Sequence, residues 1–419
     1  MMKISMVSEH ASPLATLGGV DAGGQNVHVS ALSSALAARG HAVTVFTRRD
    51  DRELDERVRL CDGVDVVHID AGPPEKIPKD ELLPFMDEFG DRLADHWRAE
   101  MPDIVHSHFW MSGLATIRAA RRSEMAGLPA VHTFHALGVV KRRNQGADDT
   151  SPAEREVLEP LVGRSVDGVI ATCSDEAFEL KTLGIPSTRI SVVPCGVDTT
   201  LFSPDGPRDE KARPFRIMTV GRLVPRKGVG LTISALARLI AEGRTDIELV
   251  ILGGSHGPDS IGDDPDAQRL LAHARSLGVE DHVTFRGQVA QSELPSALRS
   301  ADLVVCAPWY EPFGIVPLEA MATGTPVVAA AVGGLIDSVV HGATGVHVPA
   351  RDSEAIADAV RSLLDDPATL SAFSEAGIAR AQSRYSWSKV ASETERVYRK
   401  VLARSASSSH RNVDRMVTT

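Results

Sequence analysis

Glu311 and Glu319 lie in the run Trp309-Tyr310-Glu311-Pro312-Phe313-Gly314-Ile315-Val316-Pro317-Leu318-Glu319, and the chemistry open to them is set by their surroundings. Pro317 fits a first helical turn, where no backbone N–H partner is needed. The amides of Phe313, Gly314, Ile315 and Val316 are therefore expected to lie free at the start of a helix running from Val316 to Thr323 and stopped by Gly324. Free amides and the helix dipole together attract an anion. A carboxylate has no useful contact with phosphate; it accepts hydrogen bonds from neutral hydroxyls, such as those of a sugar and a ribose. The run suits a sugar nucleotide, with phosphate on the amides and hydroxyls on the glutamates. A surface turn with one solvated and one capping glutamate is the plainer alternative, and the run alone does not decide between them.

The elements that must position these residues are legible in the apolar pattern. Leu303 to Pro308 reads as a buried strand, which makes the glutamate run a strand-to-helix turn. Near the N-terminus, the strand Ile4 to Val7 leads into the glycine-rich stretch Gly18 to Asn26, a helix capped by Gly40, and a second strand, Ala42 to Thr47. The dinucleotide fingerprint GxGxxG is absent and the second strand runs into Arg48-Arg49 rather than a ribose-binding acid, which disfavours a dehydrogenase. Gly23 and Gly24 would instead let backbone approach a phosphate. Further strands end in polar residues, among them Asp103 to His108 and Ala130 to His135, which brings His108 and His135 to the ligand-binding edge of a parallel sheet. A second α/β unit opens at Ile217 to Val220, and its first loop carries Arg222 and Lys227, two cations suited to a diphosphate. Asp264-Pro265-Asp266 sits just before a helix, where acids favour the dipole, and is read as a cap in preference to a metal site.

Composition bounds the rest. At 419 residues two domains are expected, and 43% hydrophobic with 24% charged residues is ordinary for a globular protein. A formal net charge of −11 argues against nucleic acid as partner. The four cysteines are scattered with no CxxC pair, as expected of small buried side chains in a reducing compartment. The first apolar run is too short for a signal peptide and no stretch approaches a membrane span, so a cytoplasmic setting is expected. The organisation expected is an N-terminal Rossmann-like domain over residues 1–198, a linker over 199–214, a second Rossmann-like domain over 215–385, a helix over 386–404 and a disordered tail over 405–419. The last helix could cross back to the first domain or meet a partner in a homodimer.

Glu311 to Glu319 resembles the E-x7-E element of the retaining glycosyltransferases of family 4. Asp21 to Val27, His106-Ser107-His108-Phe109-Trp110, Gly221-Arg222, Lys227-Gly228 and Gly333-Gly334 are similar to the same family, especially its mycothiol-pathway and sucrose-phosphate-synthase-like branches. The resemblance covers nearly the whole chain and implies the GT-B fold, two doubly wound parallel-sheet domains facing across a cleft. It further implies that Glu311 binds the donor sugar's hydroxyls, Glu319 the ribose, and Arg222 with Lys227 the diphosphate, and that His135 lies near the transferred sugar. Retention by same-face attack is implied, in which the departing phosphate oxygen helps deprotonate the acceptor. Positive charge and amides would stabilise the leaving diphosphate, so no metal or other cofactor is required, and domain closure would exclude water.

Mycothiol-pathway members hold an inositol phosphate partly with a tyrosine and a threonine. Phe109 and Ala136 stand at those positions here, while Lys79 matches that branch's phosphate-binding lysine. Asn26, Lys79, Phe109, Lys141 and Arg142 are accordingly the candidate acceptor-binding residues, for a small polyol, aminocyclitol or sugar, phosphorylated or not. Lys141-Arg142-Arg143 reads equally well as a solvated basic loop. A UDP-sugar is the expected donor by family frequency. Rival readings are a nucleotide-sugar epimerase, a phosphorylase, and a sensor that binds sugar nucleotide without turnover.

Overall fold

A computed structural model describes residues 1–15, 23–125, 127–254 and 257–417. Gly18, Gly19, Val20, Asp21 and Ala22 of the glycine-rich stretch lie outside the described residues. The chain divides into two compact units, one formed by Met1–Pro194 together with the segment from Trp387 onward, the other by Cys195–Ser386.

The first unit is built on an eight-stranded sheet. Its strands are β1 (Lys3–Val7), β2 (Ala42–Arg48), β3 (Arg57–Cys61), β4 (Val64–Ile69), β5 (Ile104–His108), β6 (Ala130–Thr133), β7 (Gly168–Ala171) and β8 (Ile190–Val192). The spatial order is β3-β4-β2-β1-β5-β6-β7-β8. All pairs are parallel except β3 with β4. That antiparallel edge departs from the all-parallel expectation, and Asp62-Gly63 accounts for it: Gly63 takes φ +80° in a tight turn that returns the chain at once. One core under the sheet contains Phe89, Leu93, Trp97, Phe134 and Val162. The other packs Ile4, Val29, Leu32 and Leu36 against Val390, Val397, Tyr398 and Val401.

The last group lies on the helix Trp387–Val417, so the chain, having built the second unit, returns to the first. The helix expected to end near residue 404 continues to Val417. The Ser- and Ala-rich segment read as disordered contains neither Pro nor Gly to stop a helix already nucleated by packing.

The second unit holds six strands, β9 (Phe215–Val220), β10 (Ile247–Leu252), β11 (Val283–Gly287), β12 (Leu303–Cys306), β13 (Val327–Ala330) and β14 (Gly345–Val348), in the order β11-β10-β9-β12-β13-β14 and all parallel. The segment 199–214 read as a linker is anchored to this unit. Phe202 is buried in its core, and the Arg299 guanidinium donates to the carbonyls of Ser203 and Pro207.

Both sheets reverse direction of growth once, between β1 and β5 and between β9 and β12. A crevice opens at the carboxyl ends of the strands at such a switch point, and ligands of doubly wound sheets bind there. Among the described residues no helix is long and apolar enough to cross a membrane.

Candidate active site

At the switch point of the second sheet, β9 runs out into Gly221 and the loop that carries Arg222 and Lys227, and β12 runs out into Ala307 and the loop that carries Glu311. Lys227 Nζ and Glu311 Oε2 are 2.5 Å apart. The Glu311 carboxylate also accepts the Phe313 N–H, and Lys227 and these hydrogen bonds outweigh burial to hold its pKa below the usual carboxylate value. The two loops lock through backbone contacts. Trp309 N–H donates to the Arg226 carbonyl at 2.8 Å, and Gly228, at φ +72°, comes so close that a Cβ there would sit 1.9 Å from the Ala307 oxygen. Gly334 N–H donates to the Glu311 carbonyl at 2.8 Å, while a Cβ on Gly333 would meet that oxygen at 2.3 Å. The loop that carries Glu311 is thus held by the β9 loop at Ala307 and Trp309 and by Gly333 and Gly334 at the Glu311 carbonyl. Lys227, read as a cation for the diphosphate, is matched by Glu311, and Arg222 is exposed at the mouth of its loop.

Gly314 caps the helix Ile315–Ala322 in the left-handed conformation, at φ +74°. Pro317 falls in the first turn, so the amides of Ile315 and Val316 have no partner within the helix. Glu319 lies on the same helix and is buried. Its carboxyl makes no hydrogen bond among the described residues, and burial alone raises its pKa to about 7. The helix start therefore presents amide donors, and near them a desolvated carboxyl.

The first unit assembles a different chemistry. His135 follows β6 with φ +65°, and Phe109 follows β5 with φ +75°. Non-glycine residues held in this region mark backbone fixed by its surroundings. His135 Nε2 and His108 Nδ1 are 2.9 Å apart, and His28 sits edge-on to the His135 ring at 5.0 Å. Behind them His106 bridges the Thr133 hydroxyl at 2.8 Å and the Tyr398 hydroxyl at 2.7 Å. Burial keeps these histidines neutral: His28 falls to about 4, and His106, His108 and His135 lie well below the usual value, each also disfavoured by its neighbours. Gly23 precedes the helix Gly24–Ala38, and its N–H is taken by Asn26 Oδ1 at 3.0 Å while Asn26 Nδ2 donates to Ser12 O. Asn26, read as an acceptor ligand, shapes the loop.

The cations near the loop after His135 are compensated. Lys141 pairs with the buried Asp149 at 2.9 Å, Arg142 with Glu156 and Asp149, and Arg143 with Glu179 at 2.6 Å. The fully buried Arg155–Glu159 pair, at 2.6 Å, stands over the Phe109 ring and ties down the backbone at Ala136 and Gly138. Lys79 begins the short turn Lys79–Glu81, half-buried. Asp264 caps the helix Pro265–Ser276 through the amides of Asp266 and Ala267.

Two family descriptions match, "Glycosyltransferase Family 4" over residues 22–201 and "Glycosyl transferases group 1" over residues 206–380. A D-inositol 3-phosphate glycosyltransferase from Kineococcus radiotolerans is 38% identical, with 96% of each chain covered. The chain belongs to glycosyltransferase family 4. A second relative of the same description, from Kribbella flavida, is 37% identical over 95% of this chain and 96% of its own. Among solved structures, sucrose-phosphate synthase from Thermosynechococcus elongatus superposes with a TM-score of 0.84 at 30% identity, covering 96% of this chain and all of that one. Anabaena HepE, solved with UDP and glucose, superposes with a TM-score of 0.72 at 20% identity, covering 96% and 100%. The fold is GT-B.

Some residues of this family 4 glycosyltransferase escape a reading by motif. Glu9 and His10 come directly after β1, and the rule that ligands meet strand carboxyl ends points to them. Arg155 and Glu159 sit one helical turn apart, a common spacing for surface pairs, and nothing in the sequence marks them as buried. Tyr398 meets His106 across 292 positions, which no local pattern reveals.

Proposed function

We propose that the protein transfers a hexose-type sugar from a nucleoside diphosphate sugar, with UDP as the nucleotide, to a hydroxyl of a small polyol, aminocyclitol or sugar. The observation that carries this reading is Glu319, a buried carboxyl without a hydrogen-bond partner among the described residues, on a helix whose start offers amides. Amides suit the diphosphate, and the carboxyl suits vicinal hydroxyls of the ribose. The binding of UDP and glucose by HepE supports the choice of nucleotide.

In the reaction the anomeric C–O bond to the diphosphate breaks and its electron pair leaves with the phosphate oxygen. Arg222, Lys227 and the helix amides stabilise the charge as it develops, which makes a metal unnecessary. The acceptor oxygen bonds to the anomeric carbon from the same face, and its proton passes to the departing phosphate oxygen, so configuration is retained. Glu311, held by Lys227 and the Phe313 amide, receives sugar hydroxyls, and neutral His135 receives a hydroxyl of the transferred sugar.

Thermal melts of the wild type with UDP, GDP, ADP and TDP, alongside Glu319→Ala, test the reading. A nucleotide at about a hundredfold excess over its Kd stabilises by about 2.7 kcal/mol. A shift with UDP, weakened in the variant, is expected; the absence of a shift with every diphosphate would remove the donor assignment.

A further inference from the structure

Arg226 precedes Lys227 in the short turn Pro225–Lys227 of the second unit. Its carbonyl accepts the Trp309 N–H at 2.8 Å, and its guanidinium carbon lies over the Tyr310 ring, 5.2 Å from the centroid. Tyr310 is buried and directly precedes Glu311 in the chain. Arg226 is thus fixed to the outgoing loop of β12 at two points, one through its backbone and one through its side chain. Its charge is felt at the Glu311 carboxyl: burial raises that pKa, and Lys227 and then Arg226 act to lower it.

One guanidinium nitrogen of Arg226, Nη1, is buried and has no hydrogen-bond partner among the described residues. A charged N–H out of water and unbonded is costly, and arginine does not relieve the cost by giving up its proton. Glu311 has the complementary need. Its side chain keeps 14% of its surface and its ion pair is with Lys227, at 2.5 Å, yet the same ammonium is the one assigned to the diphosphate. A diphosphate carries more charge than a carboxylate and draws the ammonium toward itself. A largely buried carboxylate that loses its share of a cation needs another, and the unspent donor of Arg226 belongs to the residue next to Lys227.

We propose that Arg226 is a positioning residue for the donor sugar: when the diphosphate draws Lys227, Nη1 of Arg226 serves as the charge partner of the Glu311 carboxylate and keeps it aimed at the sugar hydroxyls. Arg226 therefore acts on recognition of the sugar and not of the nucleotide. The inference rests on the glycosyltransferase reading above.

The test titrates UDP, UDP-glucose and UDP-N-acetylglucosamine by calorimetry into wild type, into Arg226→Met, whose thioether still packs on the Tyr310 ring, and into Arg226→Lys, which returns the charge. In Arg226→Met the Kd of the UDP-sugar that wild type binds rises about tenfold, as for loss of one hydrogen bond to a charged group, while the Kd of UDP stays within about twofold. Arg226→Lys recovers part of the loss. Arg226→Gln carries the same comparison if the methionine variant does not fold. In a Glu311→Gln background Arg226→Met adds nothing, because the carboxylate it acts through is gone. Equal weakening of UDP and UDP-sugar, no weakening of either, or a full further loss in the Glu311→Gln background overturns the proposal. A wild type that binds no UDP-sugar removes the functional reading and the proposal with it, and the wild-type titration alone tells that failure from the others.

Discussion

A carboxyl that is buried without a partner costs the folded state most when it is ionised, and Glu319 is in that position. Its pKa rises from the usual value of 4.5 to about 7 in the folded chain. By linkage the contribution is intact below about pH 4.5, and stability is lost as pH rises through about 7, because the unfolded chain releases the proton first. Glu319→Gln removes the penalty. The variant is expected to match wild type near pH 4.5 and to exceed it by about 3 kcal/mol near pH 8, the size of a shift of this extent, as read from urea midpoints across that range. Glu176 rises to about 7 for the same reason, so the difference between the two proteins, rather than either curve alone, isolates Glu319. A variant no more stable than wild type at pH 8 would show that the carboxyl is solvated or paired. The position of Glu319 in the motif was legible in the sequence. Its isolation was not, because whether a helical glutamate faces solvent or the core depends on what packs over it, which the motif does not record.

At the scale of elements, strand-to-helix loops decide the site, and glycines in them are not equivalent. Gly23 is extended at φ −159° and a Cβ there meets nothing within 4 Å among the described residues. Gly228 combines φ +72° with a backbone oxygen 1.9 Å from where its Cβ would lie. Gly228→Ala must push β12's outgoing loop away, and with it the Lys227–Glu311 pair. It is expected to cost about 2 to 4 kcal/mol, more than the strain of a left-handed alanine alone, and to abolish stabilisation by UDP. Gly23→Ala should melt within about 1 kcal/mol of wild type, as a substitution into open space does. Equal melting temperatures for the two variants would contradict this account. Strand-to-helix alternation, read from apolar periodicity, located both loops and the helix starts. Which glycine is obligatory was hidden, since close approach of two backbones depends on the neighbouring strand and leaves no local signature.

The whole molecule is tied by the chain's return to its first unit, and this too was only half visible. The helix at Trp387 was expected, with its destination open; Tyr398, buried in the same core as Ile4, Val29 and Leu32, fixes that destination. Its hydroxyl lies 2.7 Å from His106 Nδ1, and His106 Nε2 lies 2.8 Å from the Thr133 hydroxyl, so the returning helix braces the end of β6 from which His135 projects. Tyr398→Phe keeps the packing and strands one ring nitrogen in a buried site. A cost of about 1 to 3 kcal/mol is expected, the penalty of an unsatisfied buried polar group, measured by denaturant unfolding. Removing the chain after Ser386 strips the helix altogether and uncovers the face of Ile4, Val29, Leu32 and Leu36; that protein should aggregate or fail to fold. Ending the chain after Ser407 leaves every one of those contacts, and the Arg404 bond to the Thr188 carbonyl, in place, so its melting temperature should equal that of the full chain. A folded, soluble protein lacking everything after Ser386 would mean that the first unit carries its own core without the returning helix, and that His106 is braced by Thr133 alone.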